Sequence, residues 1–175
     1  MMDWSWPELD FLEREERWNE AKAFLLEEFQ QNPRDLKTIT RLGFFCWYVL
    51  VEETHLGITE VDLNELETVL KRVTHIGYTL YPTNSDFLWC FGYMISTFPF
   101  YFGEFEHWEK KGLSMLKSAY KLCPDDPVYK YTYLGSCSSN IREYKRVKKL
   151  LQAVLESRFQ GEGLVSTYFK SVWSN

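Results

Sequence analysis

At 175 residues, with 45% apolar and 18% aromatic side chains, the chain is long enough for a packed core and too hydrophobic to stay disordered, so residues 1–175 read as one domain. No run of apolar residues reaches membrane-spanning length, and Met-Met-Asp-Trp-Ser-Trp lacks the basic and apolar regions of a secretory signal; the expectation is a cytoplasmic protein with no membrane contact. The net charge of −5 hides an asymmetry: residues 1–109 hold eight Lys/Arg against twenty Asp/Glu (−12) and residues 110–175 hold twelve against five (+7), so the acidic part repels nucleic acid and attracts basic partners.

Ser5 is placed to cap a first helix, with Pro7 in its first turn and Glu8 and Asp10 at its positive end. Phe11, Trp18, Ala21, Leu25 and Phe29 continue at helical spacing to Gln31, with a bend or break between Arg14 and Arg17. Asn32-Pro33 ends that stretch, because the residue before proline is pushed out of helical geometry. Asp35 caps the next helix, which carries two stripes. Ile39, Leu42, Cys46, Val49 and Leu50 form one; Lys37, Thr40, Phe44 and Trp47 form the other, about a quarter-turn away. Two apolar sides predict contacts on both. This helix fades near 53–55 and stops at Gly57.

Asp62 and Glu65 resemble a capping box ahead of a stripe of Leu63, Leu66, Val69, Leu70, Val73 and Ile76 that ends before Tyr81-Pro82. Ser85 or Asp86 caps the following helix, with Leu88, Phe91 and Ile95 on one stripe and Trp89, Tyr93 and Ser96 on another. Phe98-Pro99-Phe100-Tyr101-Phe102-Gly103 interrupts, either as a hydrophobic docking loop or, more simply, as a piece of core. Glu104 to Leu122 is helical, with Trp108, Met115, Leu116 and Ala119 inward. Asp126-Pro127 opens another helix through Tyr131, Leu134 and Gly135. Asn140 with Glu143 caps the stripe of Ile141, Tyr144, Val147, Leu151 and Val154. Gly161 and Gly163 break that helix, and 164–173 forms a short terminal helix shielding the last exposed face. No stretch alternates as a strand would.

Cys46, Cys90, Cys123 and Cys137 lie far apart and read as reduced thiols rather than a disulfide framework or a zinc site. Glu104, Glu106, His107 and Glu109 suit the positive end of a helix better than a metal, and His55 and His75 belong to no motif. No phosphate loop or nucleophile elbow occurs, so no cofactor, metal or catalytic residue is expected.

Three junctions repeat one design. Pro33, Pro82 and Pro124 precede Gly43, Gly92 and Gly135 by ten, ten and eleven residues, and an apolar residue (Leu42, Phe91, Leu134) precedes each glycine. Proline stops one helix, and a small residue lets the next pack close. With Ala21 and Ala119 at small positions, and Trp18-Asn19-Glu20-Ala21 opening a helix, the pattern resembles the tetratricopeptide repeat family. The glycines are 49 and 43 residues apart, whereas that family's period is about 34, the excess lying around 50–61 and 97–104. The resemblance implies an all-α fold: a tetratricopeptide-like α-α superhelix of about three irregular helical hairpins with a C-terminal capping helix.

It also implies a concave groove that binds protein or peptide. Carried over, the groove positions are Lys37, Thr40, Phe44 and Trp47; Asp86, Trp89, Tyr93 and Ser96; and Tyr129, Thr132, Ser136 and Ser139. Insertions or the terminal helix filling the groove would make the same rings core. The leading expectation is a non-catalytic protein-protein interaction module, in one form a dedicated inhibitor or immunity protein that masks a basic toxin or nuclease with an acidic surface of Glu13, Glu15, Glu16 and Glu20. A second is a peptide-binding adaptor or co-chaperone using the aromatic groove. A third is RNA binding through Arg142, Lys145, Arg146 and Lys149, which share one helix face; the plainer account of that face is solvation. Nothing in the sequence fixes the oligomeric state.

Overall fold

The computed structural model describes residues 1–137 and 140–174, Cys137 by its backbone alone. Within them the regular elements are helices: α1 (Pro7–Arg14), α2 (Trp18–Gln31), α3 (Leu36–Leu56), α4 (Leu63–Leu80), α5 (Ser85–Thr97), α6 (Phe105–Leu122), α7 (Pro127–Cys137), α8 (Ile141–Arg158) and α9 (Leu164–Trp173), with one 3-10 turn at Pro99–Tyr101. No helix among the described residues is long and apolar enough to cross a membrane.

Local chemistry sets most boundaries. Asp35 accepts from the Thr38 amide, Asp62 from Asn64 and Glu65, Asp126 from Val128 and Tyr129, and Asn140 from Glu143, each satisfying amides that a helix start leaves unpaired. Glu104 caps α6 in the same way, through the Glu106 and His107 amides. Gly57 stops α3 at φ 65, a left-handed conformation that costs glycine little. The break between α1 and α2 falls at Glu16, whose own φ is 55.

Two expected caps are corrected. Ser5 does not cap α1: its amide and hydroxyl bind Asp3, while Asp10 reaches back to the Trp6 amide at 3.0 Å. Neither Ser85 nor Asp86 caps α5; Asn84 does, accepting from the Phe87 amide at 3.0 Å, and Asp86 is buried.

Consecutive helices pack as pairs, α3 with α4, α5 with α6 and α7 with α8, while α3 touches α5 and α5 touches α7. The closest approach is between α5 and α6. A Cβ on Gly92 would lie 3.0 Å from the Leu116 amide nitrogen, and one on Gly112 would lie 2.7 Å from that of Ser96, so two missing side chains let these backbones nearly touch. Gly43 works differently, receiving the Phe91 ring rather than a backbone, with Phe91 Cζ 2.5 Å from where a Cβ would stand. Gly135 is exposed and faces the Tyr144 ring, whose Cε2 lies 3.3 Å from where a Cβ would stand, so the third junction meets a side chain rather than a backbone.

The segment 98–103 divides. Pro99 and Phe102 are buried, Tyr101 donates to the Leu50 carbonyl at 2.6 Å, and Phe100 alone among its rings is 52% exposed. Cys46 and Cys90 are buried free thiols that burial pushes above the ordinary thiol value, and Cys123 is a half-buried free thiol. The Cys137 side chain and Ser139 lie outside the described residues.

Candidate functional site

The expected groove is a filled one. α9 folds back against α3, α8 and α1. Its Phe169, fully buried, sets ring centroids 5.6 Å from Phe44, 4.8 Å from Trp89, 5.0 Å from Tyr93 and 5.1 Å from Phe159. Trp4 also packs against Trp89, edge-on at 5.8 Å. Phe44, Trp47, Trp89 and Tyr129 are therefore core, which corrects their assignment to an open groove. Thr40 is buried too, its hydroxyl donating back to the Leu36 carbonyl. Lys37 is half-buried, giving its ammonium to the Ser5 carbonyl at 2.6 Å and lying over the Trp6 ring. Of the groove residues, Tyr93, Thr132, Ser96 and Ser136 still line open space.

Two buried arginines tie distant helices together, and each sits between two carboxylates. Arg41 is 1% exposed; it donates to Asp10 and Glu13 of α1 at 2.8 Å each and to the Trp4 carbonyl. Glu13 also accepts from the Leu164 amide at 2.7 Å, at the start of α9. Glu13 is thus no part of an acidic surface. Burial pushes its carboxyl up to about 7, while Arg41 and the Leu164 amide pull it back. Arg158 at the end of α8 is 3.1 Å from Asp86 and 3.2 Å from Asp126, with its guanidinium over the Tyr129 ring. Asp86 further accepts from the Tyr129 hydroxyl and the Met2 amide, so it is a fastening carboxylate rather than a groove contact.

What stays open flanks α9 on both sides. One hollow of about 400 Å3 lies between α5, α6, α7, α8 and α9, walled by Tyr93, Tyr131, Tyr144 and Trp173, with Glu109 facing in. The Tyr131 and Trp173 rings meet edge-on at 5.8 Å, Tyr93 meets Trp173 at 6.3 Å, and Tyr144 stacks on Tyr131 at 4.7 Å and donates to its hydroxyl at 2.6 Å. Burial raises the Tyr93 and Tyr131 hydroxyls above the ordinary tyrosine value, so both stay protonated, able to bond but poor as bases. The second hollow, also about 400 Å3, lies between α3 and α9, walled by Tyr48, Glu52, His55 and Tyr168. Burial, and then the Glu52 and Glu16 carboxylates, raises the Tyr48 hydroxyl in the same way. Val172, 46% exposed, borders both hollows, and the hydroxyls of Tyr93, which lines the first, and Tyr168, which lines the second, meet at 2.8 Å.

The remaining charged candidates divide. Glu15, Glu16 and Glu20 are exposed, but Glu20 is bound by Arg17, and Glu15 lies 3.5 Å from Arg14; among the described residues no ion pair joins Glu16, Glu52 or Glu109. Arg142, Lys145, Arg146 and Lys149 are all exposed on α8, beside the exposed Ile141 and Leu150. The sequence offered no sign of Glu52, of Trp173 as a wall, or of Glu109 as more than an acidic residue near a helix start. Compared with models of protein families, with curated proteins and with solved structures, the chain matches none.

Proposed function

We propose that this chain is a non-catalytic protein-binding module of tetratricopeptide-like build, whose concave face is closed by its own terminal helix and whose partner docks across α9. The observation that carries the reading is the pair of tyrosine-walled hollows on either side of Val172. Each presents a carboxylate, Glu52 or Glu109, that no ion pair satisfies among the described residues. Aromatic walls supply contact area at low entropic cost, and uncommitted carboxylates select and steer a basic partner. A pre-filled scaffold has little to reorder on binding, which favours tight capture. That suits a dedicated inhibitor, such as an immunity protein holding a basic toxin or nuclease in the cytoplasm, better than an adaptor. A peptide adaptor would need the rings of Trp47 and Trp89, which α9 and Trp4 cover.

The test is affinity capture from the native cell with the parent chain and with the double variant Glu52→Lys/Glu109→Lys, matched for helicity and melting temperature. The expected result is a basic protein retained by the parent and released by the variant. A retained set indifferent to both reversals contradicts the reading. Retention of RNA, lost when Arg142, Lys145 and Lys149 are replaced, would move the function to α8.

A further inference from the structure

We propose that the hollow bounded by Tyr93, Glu109, Tyr131 and Trp173 is a subsite for one arginine side chain of the partner, a step that rests on the protein-binding reading for its biological use but not for its chemistry. The geometry favours a cation over other occupants. Glu109 is the one charged side chain among the residues lining this hollow, and no ion pair joins it among the described residues. An anion would meet that carboxylate without a compensating cation. A purely apolar group would leave that carboxylate short of a partner.

A guanidinium satisfies every wall. Its plane stacks on an aromatic face, and its five donors reach a carboxylate and a hydroxyl together, which the single point of a lysine ammonium does less well. Tyr93 and Tyr144 are only half-buried and offer that face, whereas Tyr131 and Trp173 are buried and meet edge-on, at 79°. The Tyr144 hydroxyl spends its proton on Tyr131, so its oxygen keeps its lone pairs to accept from a guanidinium N–H, and the ring stack on Tyr131 holds it in position. A volume of about 400 Å3 sits at the small end for ligand sites, which fits one side chain rather than a folded peptide. Half-burial makes the Glu109 charge more effective than an exposed glutamate such as Glu60.

The probe is an acetylated, amidated tri-arginine peptide, followed through the Trp173 indole N–H resonance. Its neutral near-isostere, tri-citrulline, serves as the control. Saturable binding that shifts the Trp173 signal is expected, with the citrulline peptide weaker by roughly tenfold or more, about 1.4 kcal/mol. Glu109→Gln, which keeps the side chain's shape, should cost the arginine peptide a similar factor, whereas Glu60→Gln should not. Equal binding of both peptides, or indifference to Glu109→Gln, overturns the subsite. A positive peptide result combined with indifference of the captured partner to Glu52→Lys/Glu109→Lys would leave the subsite standing and remove the docking face, so the two failures are distinct.

Discussion

Gly163→Ala tests the fastening of α9. Gly163 holds φ −80 and ψ 175, ordinary extended values, so alanine introduces no backbone strain. The difficulty is space. A Cβ there would fall inside the van der Waals envelope of Asp10 Oδ1 and stand 2.6 Å from both Arg41 Nη2 and Glu13 Oε2. None of these is a free end. Asp10 is held by the Trp6 amide and Arg41, and Glu13 by Arg41 and the Leu164 amide. Relief therefore parts a buried guanidinium from a buried carboxylate, which costs about 3–5 kcal/mol. For a chain of this size, each kcal/mol lowers the melting temperature by roughly 2–4 °C, so a fall of about 6–20 °C is expected in a thermal melt followed by circular dichroism. Gly57→Ala is the contrast. It meets nothing within 4 Å but sits at φ 65, so it should cost only the conformational penalty, about 1–2 kcal/mol. A Gly163→Ala loss below that of Gly57→Ala refutes the fastening.

Trp47→Ala and Trp89→Ala should each cost about 3–5 kcal/mol, because both rings are fully buried; an unchanged melt would mean the rings are free for a ligand. Glu13→Gln tests the pH dependence. Burial, set against one guanidinium shared by two carboxylates, raises the Glu13 carboxyl from 4.5 to about 7. Between those values the folded chain keeps a proton that the unfolded chain releases. Its contribution is therefore fully present below about pH 4.5 and is lost as pH rises through about 7. The melting temperature of Glu13→Gln relative to the parent should then climb from pH 5 to pH 8 (roughly one unit beyond the shifted value); a constant or falling difference contradicts the assignment.

Local chemistry was legible in the sequence, and long-range chemistry was not. Asp35, Asp62, Asp126 and Asn140 act within three residues of themselves, so their cap roles can be read from spacing. Asp86 looked equally suited to a cap, yet its partner Arg158 lies 72 residues away, and Asn84 took the cap instead. Asp10 and Glu13 share a helix face by their spacing of three, but Arg41, 31 and 28 residues on, is hidden inside an apolar run. The same limit governs the groove. The second stripe of α3 correctly implied contact on two sides, but whether Phe44 and Trp47 meet a partner or Phe169 and Tyr168 depends on where a helix more than a hundred residues later docks. Glu109 shows the reverse case. Its place near the positive end of α6 gave it a sufficient local reason, which concealed the hollow it faces.

Hydrogen exchange on the complex with the captured partner tests the central claim most directly. The account predicts new protection in the last turns of α3 around Glu52, in α6 around Glu109 and along α9 at Val172, with α8 at Arg142–Lys149 unchanged. Protection confined to α8, or absent from both sides of α9, would contradict it.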